Sequence, residues 1–148
     1  MLIVDAGVLY AQADRAERRH AAVVNLLKSE RGALVTTEAV VAEADYLILR
    51  CLGVVAELAF LDDLANKTFD GTCLTDRELR LARDVARRYR DLQLGLADAS
   101  LVVLADRLQT RRIATFDERA FRTVTPLRLR YGTVATGTPV PAWPGLGA

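Results

Sequence analysis

Acidic side chains stand at several points of this sequence where an α/β protein could use them chemically. Asp5 and Asp117 each follow a short apolar run of the kind that forms a buried strand. Asp98 opens an apolar helical stretch, and Glu43 lies inside another. Carboxylates that converge on one pocket repel each other and take up protons unless a cation joins them. Mg²⁺ and Mn²⁺ prefer such hard oxygen ligands, and a bound ion can activate a water for hydrolysis.

Each of these acids also has a structural explanation that the sequence leaves open. Asp5, Asp98 and Asp117 all lie where a helical segment begins, and Asp is a common N-cap and a favourable charge in a first turn. The strand end favours a functional role for Asp5, whereas the two explanations balance for Asp98 and Asp117. Glu43 has no cation three or four residues away, and spacing alone favours an ordinary solvated glutamate there.

Few histidine-based catalytic mechanisms are possible, because His20 is the only histidine of the chain. A mechanism with two histidines is excluded, and one candidate base is left for a Ser-His-Asp triad. Its place in the first turn of a surface helix, behind arginines, favours a solvated side chain. The sequence contains no P-loop, no dinucleotide-binding glycine motif and no HExxH. The sequence therefore lacks the motifs of nucleotide-binding folds and of zinc hydrolases.

Apolar runs and amphipathic stretches alternate along the chain and would position the four acids. Residue types predict strands over 2–4, 33–36, 68–74, 112–116 and 123–131. Apolar spacing predicts helices over 17–29, 38–52 and 54–66, with a short helical turn over 117–121. Thr75 and Glu78 form a capping box that opens one more helix, which extends to Leu92, and another helix follows Gly95.

This alternation predicts an α/β domain with a mainly parallel central sheet flanked by helices. Sites in open parallel sheets form at the carboxyl ends of the strands, where Asp5 and Asp117 are predicted to lie. A length of 148 residues suits a single domain. We expect one folded unit over residues 1–131, followed by a Pro- and Gly-rich tail over 132–148.

The charge and composition of the chain limit the kinds of partner that it can bind. The formal net charge is only +1, so any contact with nucleic acid must come from local patches rather than a global basic field. No apolar run reaches the length that spans a bilayer, and the start does not read as a secretory leader. Cys51 and Cys73 lack the spacing of a zinc site or a disulfide framework. We therefore expect a cytoplasmic protein without membrane contact.

Taken in order, four segments resemble the PIN-domain family, in particular its VapC-type toxins. They are Leu2-Ile3-Val4-Asp5, Glu43 within its helix, Leu94-Gly95-Leu96-Ala97-Asp98-Ala99-Ser100, and Ile113-Ala114-Thr115-Phe116-Asp117. The ordered set is considerably more specific than any one acid, and the likeness extends to about Tyr131. The resemblance implies a PIN-like three-layer sandwich for residues 1–131.

The resemblance also implies a function. It indicates a Mg²⁺- or Mn²⁺-dependent endoribonuclease that hydrolyses RNA and is held in check by a VapB-type antitoxin. It makes Asp5, Glu43, Asp98 and Asp117 the catalytic acids, with Thr115 supporting the last of them. Asp5, Asp98 and Asp117 would be the metal ligands. A homodimer bound to antitoxin is implied as well. A metal-bound water would also remove the need for a histidine base.

Gly7 departs from the family pattern, in which Ser or Thr commonly stands two residues after the first Asp. This departure leaves open a catalytically inactive PIN-fold module that only binds. Gly7 also argues against a haloacid-dehalogenase-like phosphatase, which needs a second Asp at that position. A receiver domain would need a lysine at the end of a late strand, and only Lys28 and Lys67 exist.

Overall fold

A computed structural model describes residues 1–124, apart from the side chains of residues 118, 120 and 122. The strands are β1 Leu2–Val4, β2 Leu34–Thr37, β3 Asp70–Thr72 and β4 Ile113–Ala114. The helices are α1 Ala6–Ala13, α2 His20–Ser29, α3 Glu38–Leu52, α4 Val54–Ala65, α5 Asp76–Arg88, α6 Leu96–Arg107 and α7 Glu118–Thr123. The predicted tail and the predicted strand over 123–131 lie outside the described residues, except that Thr123 ends α7.

The four strands form one parallel sheet in the order β3-β2-β1-β4. Ile3 is in register with Val35 on one side and with Ile113 on the other. All three residues of β1 are at most 1% exposed, as expected for a central strand covered on both faces. The prediction of an α/β domain with a parallel central sheet flanked by helices is confirmed. Asp5 and Asp117 follow neighbouring strands at one edge of this sheet.

Helices with a clear apolar stripe and clear end signals lie where the sequence predicted them. α3 covers Glu38–Leu52, the predicted range. Thr37 caps its first turn, and Gly53 ends it with a φ of 87°, a left-handed value that favours glycine. The capping box of Thr75 and Glu78 is also present at the start of α5. That helix ends at Arg88 rather than at Leu92, which belongs to a 3-10 turn.

Two helices differ from the prediction. A helical start at Asp5 was expected, but no range was predicted for α1, because its sequence is apolar on nearly every side and carries no periodic stripe to detect. α2 begins at His20 rather than at Glu17, because polar side chains hold the preceding residues in a turn. Asp14 Oδ1 accepts from the Ala16 N–H at 2.9 Å, and Glu17 Oε1 accepts from the Arg19 N–H at 3.2 Å. Such bonds compete with helix formation.

The hydrophobic core has two parts that meet at α6. The larger part surrounds β1 and takes Ala97, Leu101 and Leu104 from α6. The smaller part lies against α5 and takes Ala99, Val102 and Val103 from the same helix. α6 is therefore buried on both sides, which fixes its first turn, with Asp98, relative to the sheet.

Candidate active site

Asp5 is the most buried of the predicted acids, with a residue exposure of 8%. Its Oδ1 accepts a hydrogen bond from the Ala6 N–H at 2.7 Å, so Asp5 caps α1 as the structural explanation required. Its Oδ2 accepts from the Thr115 hydroxyl at 2.7 Å, across 110 residues of sequence. The side chain is therefore both a helix cap and a link between the ends of β1 and β4.

The turn after β4 is organised around the same hydroxyl. Thr115 Oγ1 donates to Asp5 and accepts from the Asp117 backbone N–H at 2.9 Å. This holds Asp117 beside Asp5 while its own side chain stays exposed. The sequence analysis assigned Thr115 to support Asp117. In the structure, the Thr115 hydroxyl bonds both the Asp5 side chain and the Asp117 backbone.

Asp98 and Glu43 reach the same edge of the sheet from two helices. Asp98 lies in the first turn of α6, half-buried, and its Oδ2 accepts from the Gly95 N–H at 3.2 Å. Asp98 therefore bonds the backbone at the start of α6, as the helix-capping explanation predicts. Glu43 is exposed on α3, and no hydrogen bond or ion pair joins it to another described residue.

The negative charges of these acids raise the pKa values of their neighbours. Burial raises the pKa of Asp5, and the charges of Asp98 and Asp117 raise it further, while the bonds from Thr115 and Ala6 act in the opposite direction. Burial also raises the pKa of Asp98, with the Asp117 charge adding to it. The pKa of Glu43 is raised by desolvation first and then by Asp5 and Asp98. The structure therefore brings all four predicted acids together.

Three hydroxyl groups that the sequence analysis did not single out make buried contacts that join β2 to α6 and to β1. Thr37 Oγ1 and Ser100 Oγ are buried and lie 2.6 Å apart, which joins the end of β2 to α6. Ser100 also donates to the Ala97 carbonyl at 2.6 Å. Thr36 donates to the Val4 carbonyl at 2.8 Å. The available signal was weak: polar residues at a strand end, and Ser100 two residues after Asp98.

His20 does not have the solvated side chain that the sequence favoured. Its Nδ1 lies 2.9 Å from the Ala11 carbonyl oxygen, which can only accept, so this nitrogen is the donor. The ring is half-buried and ties the start of α2 to α1. His20 therefore serves to position the segment before α2.

The acidic edge suits a hydrated divalent ion better than a closed metal cage. Within residues 1–124, no three Asp, Glu, His or Cys side chains form a group that could hold a metal ion. Mg²⁺ keeps several waters and is usually bound through one or two carboxylates together with substrate phosphates. Asp98 is half-buried and Asp117 is exposed, beside the buried Asp5, so these carboxylates could bind an ion that keeps several of its waters.

Gly7 lies under the ring of Phe116. A Cβ at this position would be 3.3 Å from Phe116 Cδ2, which is closer than side chains normally pack. The space where the family commonly has a hydroxyl is thus occupied here by an aromatic ring from the turn that carries Asp117. The Phe116 ring therefore takes up the space that a larger side chain in place of Gly7 would need.

A second recess lies away from the acids. It has a volume of about 430 Å³ between the start of α5 and the end of α6. Glu78 and Arg107 line it and pair with each other at 3.3 Å, and none of the four acids contributes to its wall. Its lining offers structural contacts rather than a convergent set of reactive groups.

Comparison with known proteins agrees with this geometry. The family model described as "PIN domain" matches residues 2–125. The chain belongs to the PIN domain family. It is 42% identical over 126 residues to Ribonuclease VapC26 of Mycobacterium tuberculosis, which covers 85% of this chain and 93% of that protein.

A solved PIN-fold structure shows the same architecture. The crystal structure of Mycobacterium tuberculosis VapC20, described as a sarcin-ricin loop cleaving toxin, matches with a TM-score of 0.77. The match covers 86% of this chain and 99% of that chain at 18% sequence identity, so it supports the fold. The PIN-like three-layer sandwich predicted from the sequence is confirmed. Among the helices of residues 1–124, none has the length and apolar character needed to cross a bilayer.

Proposed function

We propose that this PIN domain is a metal-dependent endoribonuclease that uses Asp5, Glu43, Asp98 and Asp117 to hydrolyse RNA phosphodiesters. The observation that carries the proposal is the convergence of these acids at the carboxyl edge of the sheet, where Thr115 joins Asp5 to the Asp117 segment and neighbouring acids raise the pKa values of Asp5, Glu43 and Asp98. Perturbed titratable groups that cluster in this way are typical of functional sites. The 42% identity to a protein named as a ribonuclease gives independent support.

Asp5, Asp98 and Asp117 are the side chains that would hold a hydrated Mg²⁺ or Mn²⁺, because within residues 1–124 no three such side chains approach closely enough to enclose a bare ion. A bound ion supplies a water of lowered pKa and neutralises charge on the phosphoryl oxygens. Thr115 orients the Asp5 carboxylate through its hydroxyl and fixes the backbone of Asp117. Orienting contacts of this kind keep the ligands in place before the substrate arrives.

Glu43 has a different place in the proposal. Glu43 is exposed on α3 as a residue, but partial desolvation of its carboxyl, together with the charges of Asp5 and Asp98, raises its pKa. A carboxyl with a raised pKa can take up or release a proton closer to neutral pH than an ordinary glutamate can. We assign it to proton transfer beside the ligand set.

We further propose that the protein is the toxin of a VapBC-type pair in the cytoplasm and acts as a homodimer that a VapB-type antitoxin inhibits. The name of the 42% identical relative supports the toxin assignment. Exposed apolar side chains on α3 and α4 support a protein partner, since patches of this kind mark interaction surfaces. They include Tyr46, Leu49, Val54, Val55 and Leu58.

Cleavage of bacterial RNA tests the nuclease proposal directly. Purified protein is incubated with total RNA in Mn²⁺, in Mg²⁺ and in chelator, and the products are resolved on a gel. We expect discrete fragments with metal and none with chelator. Folded protein that leaves RNA intact under all three conditions would favour the inactive binding module instead.

Growth tests the toxin proposal. Expression of this chain alone in a bacterial host should arrest growth, and co-expression of the small protein encoded beside it should restore growth. The same expression with Asp98→Asn serves as control and should not arrest growth. Normal growth with abundant, folded wild-type protein would argue against a toxin while leaving RNA cleavage in vitro as a separate question.

A further inference from the structure

An arginine and an aromatic ring form a stacked pair on the turn that carries Thr115 and Asp117. The guanidinium carbon of Arg19 lies 3.5 Å from the centroid of the Phe116 ring. The same ring lies against Gly7, within 3.3 Å of where a Cβ would stand. A cation over an aromatic face at this distance is held by the electrostatic attraction of the ring.

The pair is next to the proposed site by sequence and by contact. Phe116 stands between Thr115, whose hydroxyl binds the Asp5 carboxylate, and Asp117. Gly7 stands two residues after Asp5, in the first turn of α1. The ring therefore bridges the two segments that carry the most buried acid and its neighbour, and the guanidinium lies on that ring.

The segment before α2 fixes the position of Arg19. Glu17 Oε1 accepts from Arg19 Nε at 2.9 Å and from the Arg19 backbone N–H at 3.2 Å. His20, the next residue, is tied to the Ala11 carbonyl of α1. Stacking on Phe116 and the bonds to Glu17 therefore fix the position of the Arg19 side chain.

The guanidinium keeps donors for a ligand. Within the part of the chain that the structure describes, Nε is the only guanidinium nitrogen of Arg19 that donates to Glu17, and the two terminal amino groups have no hydrogen-bond acceptor. The side chain is 30% exposed. Arginine presents a planar fork that matches two phosphate oxygens, and stacking leaves its edge available.

A substrate for the acidic edge needs such a cation. Four carboxylates repel a phosphodiester strand, and the protein as a whole carries a net charge of only +1. We propose that Arg19 binds a phosphate of the RNA strand next to the acidic edge and that Phe116 holds its guanidinium for this contact. This inference rests on the proposed ribonuclease function. Gly7 is then small because the Phe116 ring must lie over α1.

The binding measurement uses a short fluorescent RNA hairpin in chelator, so that no cleavage occurs. Arg19→Gln should weaken binding about tenfold, the scale of one lost charged hydrogen-bond contact. It should also flatten the dependence of log K on log salt by about 0.7, the value for one phosphate on a single strand. Arg18→Gln is the matched control, since it removes the same charge one residue away without a stacking partner, and should weaken binding less than threefold.

Steady-state cleavage of the same hairpin in Mn²⁺ separates binding from chemistry. Arg19→Gln should raise KM about as much as it weakens binding and change kcat little, and Arg19→Lys should recover part of the loss. Phe116→Leu leaves the charge in place but removes the ring, and should also raise KM. It keeps the inference testable if Arg19→Gln does not fold, with melting curves as the check for both variants.

Each outcome has a distinct meaning. Equal affinities and equal salt dependence for Arg19→Gln and Arg18→Gln would reject the phosphate contact and make the stacked pair a structural clip. If wild type cleaves RNA in that case, the nuclease proposal still holds. Wild type that binds the hairpin through Arg19 without cutting any RNA would reject the nuclease proposal alone. Wild type that neither binds nor cuts would reject both.

Discussion

The two edges of the central sheet treat carboxylates in opposite ways. At the amino ends of the strands, Glu30 accepts from Arg112 Nη2 at 2.6 Å, from the Gly32 N–H at 2.8 Å and from the Met1 amino group at 3.1 Å. At the carboxyl ends, Asp5 receives from the described residues only a hydroxyl and a backbone N–H, and it lies near further acids. The first edge neutralises its acid, whereas the second concentrates negative charge.

The pKa values of the two acids record this difference. Hydrogen bonds from Arg112, Gly32 and the chain's amino group lower the pKa of Glu30 to about 2. Burial and neighbouring acids raise the pKa of Asp5. A fold gains stability from the first arrangement and loses some from the second. An edge that keeps unfavourable charge needs another reason to exist, and the proposed binding of a cation and of RNA would provide one.

Removing one charge from the acidic edge should have the largest effect. Asp98→Asn keeps an oxygen for the Gly95 N–H, and Asn caps helices about as well as Asp. RNA cleavage should fall by more than about a hundredfold, since even residues that only orient a metal ligand cost about 10- to 100-fold. The metal-free protein should become more stable by about 1 kcal/mol as repulsion is relieved.

Melting curves in chelator and in Mn²⁺, run beside the cleavage assay, give the answer for Asp98. Mn²⁺ should raise the melting temperature of wild type more than that of Asp98→Asn, because a ligand that binds only the folded state stabilises it. Equal stabilisation of both proteins, with cleavage retained, would remove Asp98 from the site.

Removing the charge from the opposite edge should cost stability rather than activity. Glu30→Gln cannot pair with Arg112 as an ion, and we expect the free energy of unfolding to fall by about 1–3 kcal/mol. The cleavage rate per folded molecule should stay the same. Urea denaturation measures the loss. Asp84→Asn, which breaks an exposed ion pair with Arg83 at 2.8 Å, is the control and should cost at most about 1 kcal/mol.

The pH dependence of stability should have opposite signs at the two edges. The pKa of Glu30 is lowered from 4.5 to about 2, so its contribution is full above pH 4.5 and is lost as pH falls towards 2. The pKa of Asp98 is raised, so in chelator its contribution is present at low pH and is lost as pH rises through that pKa. Unfolding titrations of wild type, Glu30→Gln and Asp98→Asn test both signs. A Glu30→Gln deficit that persisted unchanged at pH about 2 would contradict the first.

The smallest effect is expected at Gly7. Gly7→Ser restores the hydroxyl common in the family but places its Cβ against Phe116 at 3.3 Å, so the ring must shift. We expect a loss of about 1 kcal/mol in stability and no gain in cleavage. Gly71→Ser is the control, because its Cβ would meet Val41 at an ordinary 3.5 Å. A marked rise in cleavage would show that the missing hydroxyl limits this enzyme.

Sequence patterns predicted the elements whose signals are local. α3 could be read from its apolar stripe and from Gly53, since both the period and the stop are written in neighbouring residues. The extent of α1 could not be read, although its start at Asp5 could, because a helix covered on most sides carries no polar face. The start of α2 depended on Glu17 bonding to Arg19, a choice between turn and helix that residue types alone leave undecided.

The candidate site divides in the same way. Asp5 was placed correctly directly after β1, whereas β4 ends at Ala114 and Asp117 lies three residues further on, in the turn after the strand. Both lie at one edge, because the carboxyl ends of parallel strands share it. The bond from Thr115 to Asp5 spans 110 residues, and the Thr37 to Ser100 contact spans 63. Contacts of this range follow from the tertiary fold rather than from local pattern. The roles of the four acids remain predictions for the experiments above.

The burial of α6 on both sides has a consequence for how the protein opens. A helix shared by both parts of the core cannot leave either without disrupting the whole domain. Its amide protons should therefore exchange with solvent only through global unfolding, more slowly than those of α4, whose outer face is exposed. Asp98 is carried on this helix, so the acidic edge should keep its geometry through the local fluctuations that fray the rest of the surface.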